Sequence, residues 1–199
     1  RLEGATGTAL ARRAKYLLAE LSSGDVLMMH LGMSGSFRVS GEGEAQTPGG
    51  FHYPRSEARA HDHVVFHMSS GARIVFNDPR RFGLMLLVPA DQLAEHPLMR
   101  EVGPEPLDRA FDAAVLARAC AGKATSLKAA LSDQKVVAGL GNIYVCEALH
   151  RARLSPKRGA ASIASKAGGP NERAVALVDA IKTVLKDAIA AGGSSLRNY

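Results

Sequence analysis

Ser126-Leu127-Lys128-Ala129-Ala130-Leu131-Ser132-Asp133-Gln134-Lys135-Val136-Val137-Ala138-Gly139-Leu140-Gly141-Asn142 reads as a short helix, an apolar pair, a glycine-punctuated loop and the start of a second helix. Leu127, Ala130 and Leu131 recur at the three- and four-residue spacing of one helix face. Gly139 and Gly141 permit tight turns with positive φ, and Asn142 is placed to cap a helix running from Ile143 to about Arg151. Such a loop gathers backbone N–H groups beside a helix N-terminus, an arrangement that favours an anion. Lys123, Lys128 and Lys135 lie close in sequence, so the ligand predicted is a polyanion rather than one small phosphate. A packing corner would use the same glycines, and the loop alone leaves both readings open.

Outward from this stretch the period stays helical. Helices are predicted at about 110–121, 126–133, 142–152 and 172–190, the last carrying Val175, Val178, Ile181, Leu185 and Ile189 on one face and stopped by Gly192-Gly193. Residues 157–171 read as a basic connector rich in Ser, Ala and Gly. Upstream, Gly103-Pro104-Glu105-Pro106 reads as a hinge, and before it the pattern is that of strands. Ala14–Leu21, Val26–His30 and Ser36–Val39 suggest a meander, His63–Met68 and Arg73–Asn77 a hairpin, and Leu84–Val88 a further strand, with a long surface loop between Ser40 and Ala60. The fold class predicted is α+β in two domains, β over residues 1–108 and all-α over 109–199.

The 199 residues, 46% hydrophobic, suffice to bury a core. The net charge of +6 is divided unevenly: residues 1–108 hold 11 Lys+Arg against 13 Asp+Glu, net −2, and residues 109–199 hold 14 against 6, net +8. A basic field confined to one half points to nucleic acid, and no helix combines a basic face with large aromatic anchors for a membrane. The chain lacks an apolar run of about 18 residues, and its start resembles neither a signal nor a transit peptide, which predicts a cytoplasmic protein. Two cysteines, Cys120 and Cys146, are too few for a disulfide framework or a four-ligand zinc site.

Several residues in the β half could carry chemistry. His30-Leu31-Gly32-Met33-Ser34-Gly35 places Met33 at a glycine-flanked bend, where it serves either as a core side chain or as a wedge between bases. Asn77-Asp78-Pro79-Arg80-Arg81-Phe82-Gly83 closes the hairpin around an Arg-Arg-Phe triplet. Either Arg80 meets an orphaned base while Phe82 wedges into the stack, or an arginine pairs with Asp78 over a buried Phe82. His61-Asp62-His63, with His30, His52 and His67 elsewhere, reads as a hydrogen-bond network rather than a metal site, and His61 as a phosphate contact. Lys15, behind Arg12 and Arg13 at the start of a strand, is a candidate amine for phosphate contact or for Schiff-base and proton-transfer chemistry, its pKa to be lowered by those cations.

His30–Ser34, Asp78–Gly83, Gly103–Leu107, Leu127–Glu147 and Gly192–Tyr199, in this order and spacing, resemble bacterial formamidopyrimidine-DNA glycosylase along essentially the whole chain. The resemblance implies an antiparallel β-sandwich domain followed by a helix-two-turns-helix domain, the two clasping duplex DNA that contains oxidised purines (8-oxoguanine, formamidopyrimidines). It implies a bifunctional glycosylase and abasic-site lyase of base-excision repair that flips the base out, acting as a monomer in the nucleoid. By position, Lys15 resembles the proton donor in β-elimination. Met33, Arg80 and Phe82 resemble the residues that fill the gap, with Arg80 on the estranged cytosine. His30, His61, Arg80, Lys123 and Asn142 resemble DNA contacts, and Gly192–Tyr199 the entry to the loop capping the flipped base.

The family's nucleophilic amino-terminal proline and the glutamate after it are not matched, nor is its four-cysteine zinc finger. The expectation is therefore a chain truncated at both ends and its β-sandwich incomplete. Such a chain has no cofactor of its own, one structural zinc belonging to the full-length protein. It lacks glycosylase activity, keeps salt-sensitive DNA binding and shows at most slow lyase action through Lys15. Alternatives are the endonuclease VIII-like branch for oxidised pyrimidines, which is expected to arrange its gap-filling residues differently, and a non-catalytic DNA-binding module.

Overall fold

A computed structural model describes residues 2–41, 43–46, 59–165 and 167–193. The chain divides into two compact units, residues 1–93 with 191–199, and residues 94–190. The first unit is antiparallel β. Its strands are β1 (Gly7–Arg13), β2 (Tyr16–Leu21), β3 (Asp25–His30), β4 (Ser36–Gly41), β5 (Gly43–Gln46), β6 (Asp62–His67), β7 (Arg73–Asn77) and β8 (Leu84–Pro89). They form two four-stranded sheets, ordered β1-β2-β3-β8 and β5-β4-β7-β6. Strand β3 lies inside its sheet between β2 and β8, and Val26, Leu27, Met28 and Met29 are all buried, a continuous apolar run rather than an alternation. Edge strand β6 does alternate, with His63, Val65 and His67 on its exposed face.

Four features depart from the sequence reading. Strand β1 was not anticipated, because residues 7–12 are all exposed and show no apolar alternation. Pairing of Arg13 with Tyr16 leaves Ala14-Lys15 as a two-residue turn, so Lys15 sits at a hairpin tip and not within a strand. Part of the expected 40–60 surface loop is strand, since β4 runs to Gly41 and pairs with β5; residues 47–58, His52 among them, lie outside the described residues. Asn77–Gly83 does not close a hairpin. Strand β7 pairs with β4 and β6, whereas β8 pairs with β3 of the other sheet, so the segment crosses between sheets.

The second unit is helical: α1 (Ala113–Cys120), α2 (Leu127–Ser132), α3 (Asn142–Arg151) and α4 (Glu172–Ala190). Asp112 caps α1 by accepting the Val115 N–H at 2.8 Å, and Ser126 caps α2 by accepting the Ala129 N–H at 3.2 Å. Leu127, Leu131, Val137, Leu140, Val145, Leu177 and Ile181 meet with Phe111 in one core, each fully buried. The basic connector contributes to that core through a short 3-10 turn, Ala160–Ile163, that buries Ala160 and Ile163. Gly103 and Pro104 are tied to this unit by the Gly103 N–H on the Gln134 carbonyl (2.8 Å) and the Ala138 N–H on the Pro104 carbonyl (2.9 Å). Residues 194–199, most of the expected loop entry, lie outside the described residues.

Candidate nucleic-acid interface

Two crossovers connect the sheets, Leu31–Gly35 from β3 to β4 and Asp78–Gly83 from β7 to β8, and they interlock. Gly32, at φ 63°, lies so close to the second crossover that a Cβ there would sit 2.7 Å from the Phe82 carbonyl carbon. The Ser34 hydroxyl donates to Asp78 Oδ1 at 2.6 Å and accepts the Arg80 N–H at 3.2 Å. Asp78 Oδ1 takes the Arg80 N–H at 3.3 Å, and its Oδ2 takes the Gly83 N–H at 2.7 Å. The Asp78 N–H in turn donates to the His61 carbonyl at 3.0 Å, which brings His61 to the foot of the same loop.

Asp78 is fully buried. Burial opposes its ionisation, but the Ser34 hydroxyl and the backbone N–H groups prevail and hold its pKa below the usual carboxylate value. The side chains above this base face outward: Met33 is 64% exposed and Phe82 58%. The Arg80 guanidinium stacks 5.0 Å from the centroid of the Phe82 ring. The reading of an Arg–Asp78 ion pair over a buried phenylalanine is thereby excluded, because Asp78 is occupied by backbone and hydroxyl donors and Phe82 is exposed.

Lys15 and His30 form a second cluster. Their elements are paired, Tyr16 opposite His30, with the two rings 5.1 Å apart. The pKa of Lys15 is lowered by burial of its ammonium, and not by the neighbouring Arg12 and Arg13, although the residue as a whole is exposed. The Arg12 guanidinium is engaged with the Ala14 carbonyl at 2.7 Å. Burial and the Lys15 charge lower the pKa of His30, and its Nδ1 accepts the Gly32 N–H at 3.0 Å. With Nδ1 accepting from Gly32, the proton of a neutral His30 sits on Nε2, a donor suited to a phosphate oxygen.

In the helical unit the loop before α3 is shaped by Gln134, whose role the sequence did not reveal. Its Oε1 accepts the Gly139 N–H at 2.8 Å and its Nε2 donates to the Leu140 carbonyl at 2.9 Å. Of the two glycines, Gly139 has the positive φ, 77°, whereas Gly141 is extended at φ −109° and takes the N-cap position itself. Asn142 is consequently the first helical residue rather than the cap, and its side chain is exposed. The N-terminal N–H groups of α3 open beside it, as any helix leaves them. Lys123 sits in the turn after α1 and Lys128 on α2, while Lys135 is paired with Glu101 at 2.9 Å.

Asp62 accepts from Arg38 at 2.8 Å and from the Asn77 amide at 2.8 Å, and His63 Nε2 lies 2.9 Å from the Asp78 carbonyl. Among the described residues no three His, Cys, Asp or Glu side chains gather as a metal site. Among them also, no helix is long and apolar enough to cross a membrane.

The N-terminal domain of formamidopyrimidine-DNA glycosylase matches residues 1–85, and the H2TH domain of the same family matches residues 102–199. A formamidopyrimidine-DNA glycosylase of Rhodopseudomonas palustris strain BisA53 is 69% identical over all of this chain, which covers 68% of that relative. One from Bradyrhizobium sp. strain ORS 278 is 65% identical with the same coverage. Among solved structures, the MutM (Fpg) protein of Thermus thermophilus superposes with a TM-score of 0.77 at 39% identity, over 98% of this chain and 64% of that one. The Lactococcus lactis Fpg bound to abasic-site DNA gives a TM-score of 0.79 at 31% identity, over 100% of this chain and 66% of that one. With two domain patterns matched in chain order, and close relatives recovered both in sequence and in fold, the chain belongs to the formamidopyrimidine-DNA glycosylase family.

Proposed function

We propose that this chain supplies the duplex-gripping and gap-filling parts of a base-excision-repair glycosylase and abasic-site lyase for oxidised purines. One observation carries the reading: Met33, Arg80 and Phe82 stand exposed together on two interlocked crossovers. Two exposed apolar side chains beside a guanidinium have no evident use in a folded core, but they match the needs of a duplex from which one base has been extruded. Met33 and Phe82 fill the vacated stack, and Arg80 hydrogen-bonds the base left opposite. Lys15 transfers the proton at the abasic sugar, helped by a lowered pKa. His30, His61, Lys123 and Asn142 hold phosphates, and one chain engages one lesion. The Lactococcus lactis relatives crystallised with abasic-site DNA and with Fapy-dG DNA support a lesion duplex as the partner.

Fluorescence anisotropy of the chain on a duplex holding a tetrahydrofuran abasic analogue, against the intact duplex, tests this. The expected result is a preference of about tenfold or more for the abasic duplex, lost in Arg80→Ala and in Phe82→Ala. Equal affinity for the two duplexes would overturn the reading. Tighter binding to a thymine glycol duplex than to 8-oxoguanine opposite cytosine would favour the branch for oxidised pyrimidines.

A further inference from the structure

We infer that Ser34, acting with Asp78, is the positioning residue that makes Met33, Arg80 and Phe82 a single preformed wedge; the inference rests on the gap-filling reading above. The three side chains come from two separate crossovers, and their mutual placement depends on what joins those loops. Ser34 follows Met33 directly, and its hydroxyl is shared. It donates to Asp78 Oδ1 at 2.6 Å and accepts the Arg80 N–H at 3.2 Å, so one oxygen atom links the residue next to Met33 with the backbone of Arg80. Behind it, Asp78 binds the Gly83 N–H at 2.7 Å and fixes the far end of the same loop, one residue beyond Phe82. The loop needs such a brace, because Arg81 is held at φ 58°, a conformation costly for any residue with a Cβ. Close packing of Gly32 on the Phe82 carbonyl supplies contact but no directional tie.

A side chain that enters a base stack must arrive in one geometry, since ordering it at the moment of binding subtracts from affinity. Without the Ser34 hydroxyl, Asp78 keeps its bonds to Gly83 and Arg80, so the second crossover stays folded and the first is released from it. The loss falls on lesion discrimination and not on general attraction to phosphates, which resides in other residues. Ser34 acts through its neighbours rather than by touching DNA or a reacting atom.

The experiment uses the chain on abasic-analogue and intact duplexes, with 2-aminopurine opposite the analogue to report unstacking of the estranged base. Ser34→Ala is expected to reduce the preference for the abasic duplex about tenfold, the order of one hydrogen bond to a charged group, with affinity for intact duplex unchanged. Ser34→Thr, which retains the hydroxyl, should restore both the preference and the 2-aminopurine signal. In an Arg80→Lys background, expected to keep part of the preference, Ser34→Ala should cost less than it does in the wild-type chain, a non-additivity that a general loss of stability would not produce. Ser34→Ala with an unchanged preference, or effects that simply add to those of Arg80→Lys, would overturn the inference. Absence of any preference in the wild-type chain would instead overturn the gap-filling reading, so the two failures are distinguishable.

Discussion

Asp78 is a buried carboxylate satisfied by one hydroxyl and backbone N–H groups, which couples the stability of the β unit to acid. Its pKa is lower folded than unfolded, so its contribution is complete above the ordinary carboxylate value of 3.8 and disappears as pH falls through the lowered folded value. Asp62, held down first by the Asn77 amide and then by Arg38, acts in the same direction. Asp78→Asn should therefore destabilise the chain by about 2–3 kcal/mol at pH 7, with a shallower loss of stability below pH ~4, measured by urea denaturation across pH. At Lys15 the expectation concerns rate. Lys15→Ala should slow nicking of an abasic-site duplex by about tenfold or more, a typical contribution of a positioned acid or base, and change binding far less. A gel assay of nicked strand alongside anisotropy separates the two.

The helical unit shows how a loop can be specified by a side chain that leaves no pattern in the sequence. Gln134 replaces the hydrogen bonds that Gly139 and Leu140 cannot obtain from a helix or strand, and the turn it fixes opens the N-terminus of α3. Gln134→Ala should cost about 1–3 kcal/mol by thermal melting and weaken DNA binding, because two backbone groups lose their partner. The helices themselves were legible, α4 running from Glu172 to Ala190 where the spacing predicted 172–190, although Val175 and Ile189 of the apolar face read there are exposed and Leu177 and Val184 are buried instead. Strands β2 to β4 and β6 to β8 were legible on similar grounds, and β1 was not, since neither of its faces is buried. Exposure of Met33 and Phe82 could not be read from residue type, because both are as common in cores. The Ser34–Asp78 tie spans 44 residues of sequence and has no local signature beyond the turn-forming Asp78-Pro79.

The charge division gives the chain a basic helical half, net +8, and a β half near neutrality. Binding to intact duplex should accordingly weaken with salt, and Lys123→Ala and Lys128→Ala should each reduce the log–log salt slope by about 1 if each side chain meets a phosphate. Lys135→Ala should reduce it less, because Lys135 is already paired with Glu101 at 2.9 Å. Titration in 50–300 mM salt, on the order of the range where counterion release dominates, measures all three. The two cysteines differ in a way that makes such measurements simpler. Cys120 is fully buried, its thiol pKa raised by that burial, whereas Cys146 is exposed on α3, its sulfur 3.9 Å from the Asn142 side-chain oxygen. A maleimide dye should couple once per native chain and a second time only after unfolding. The chain thus carries a built-in, single attachment point for a fluorophore, one helical turn from a proposed phosphate contact, where duplex arrival could be timed optically without introducing any foreign residue.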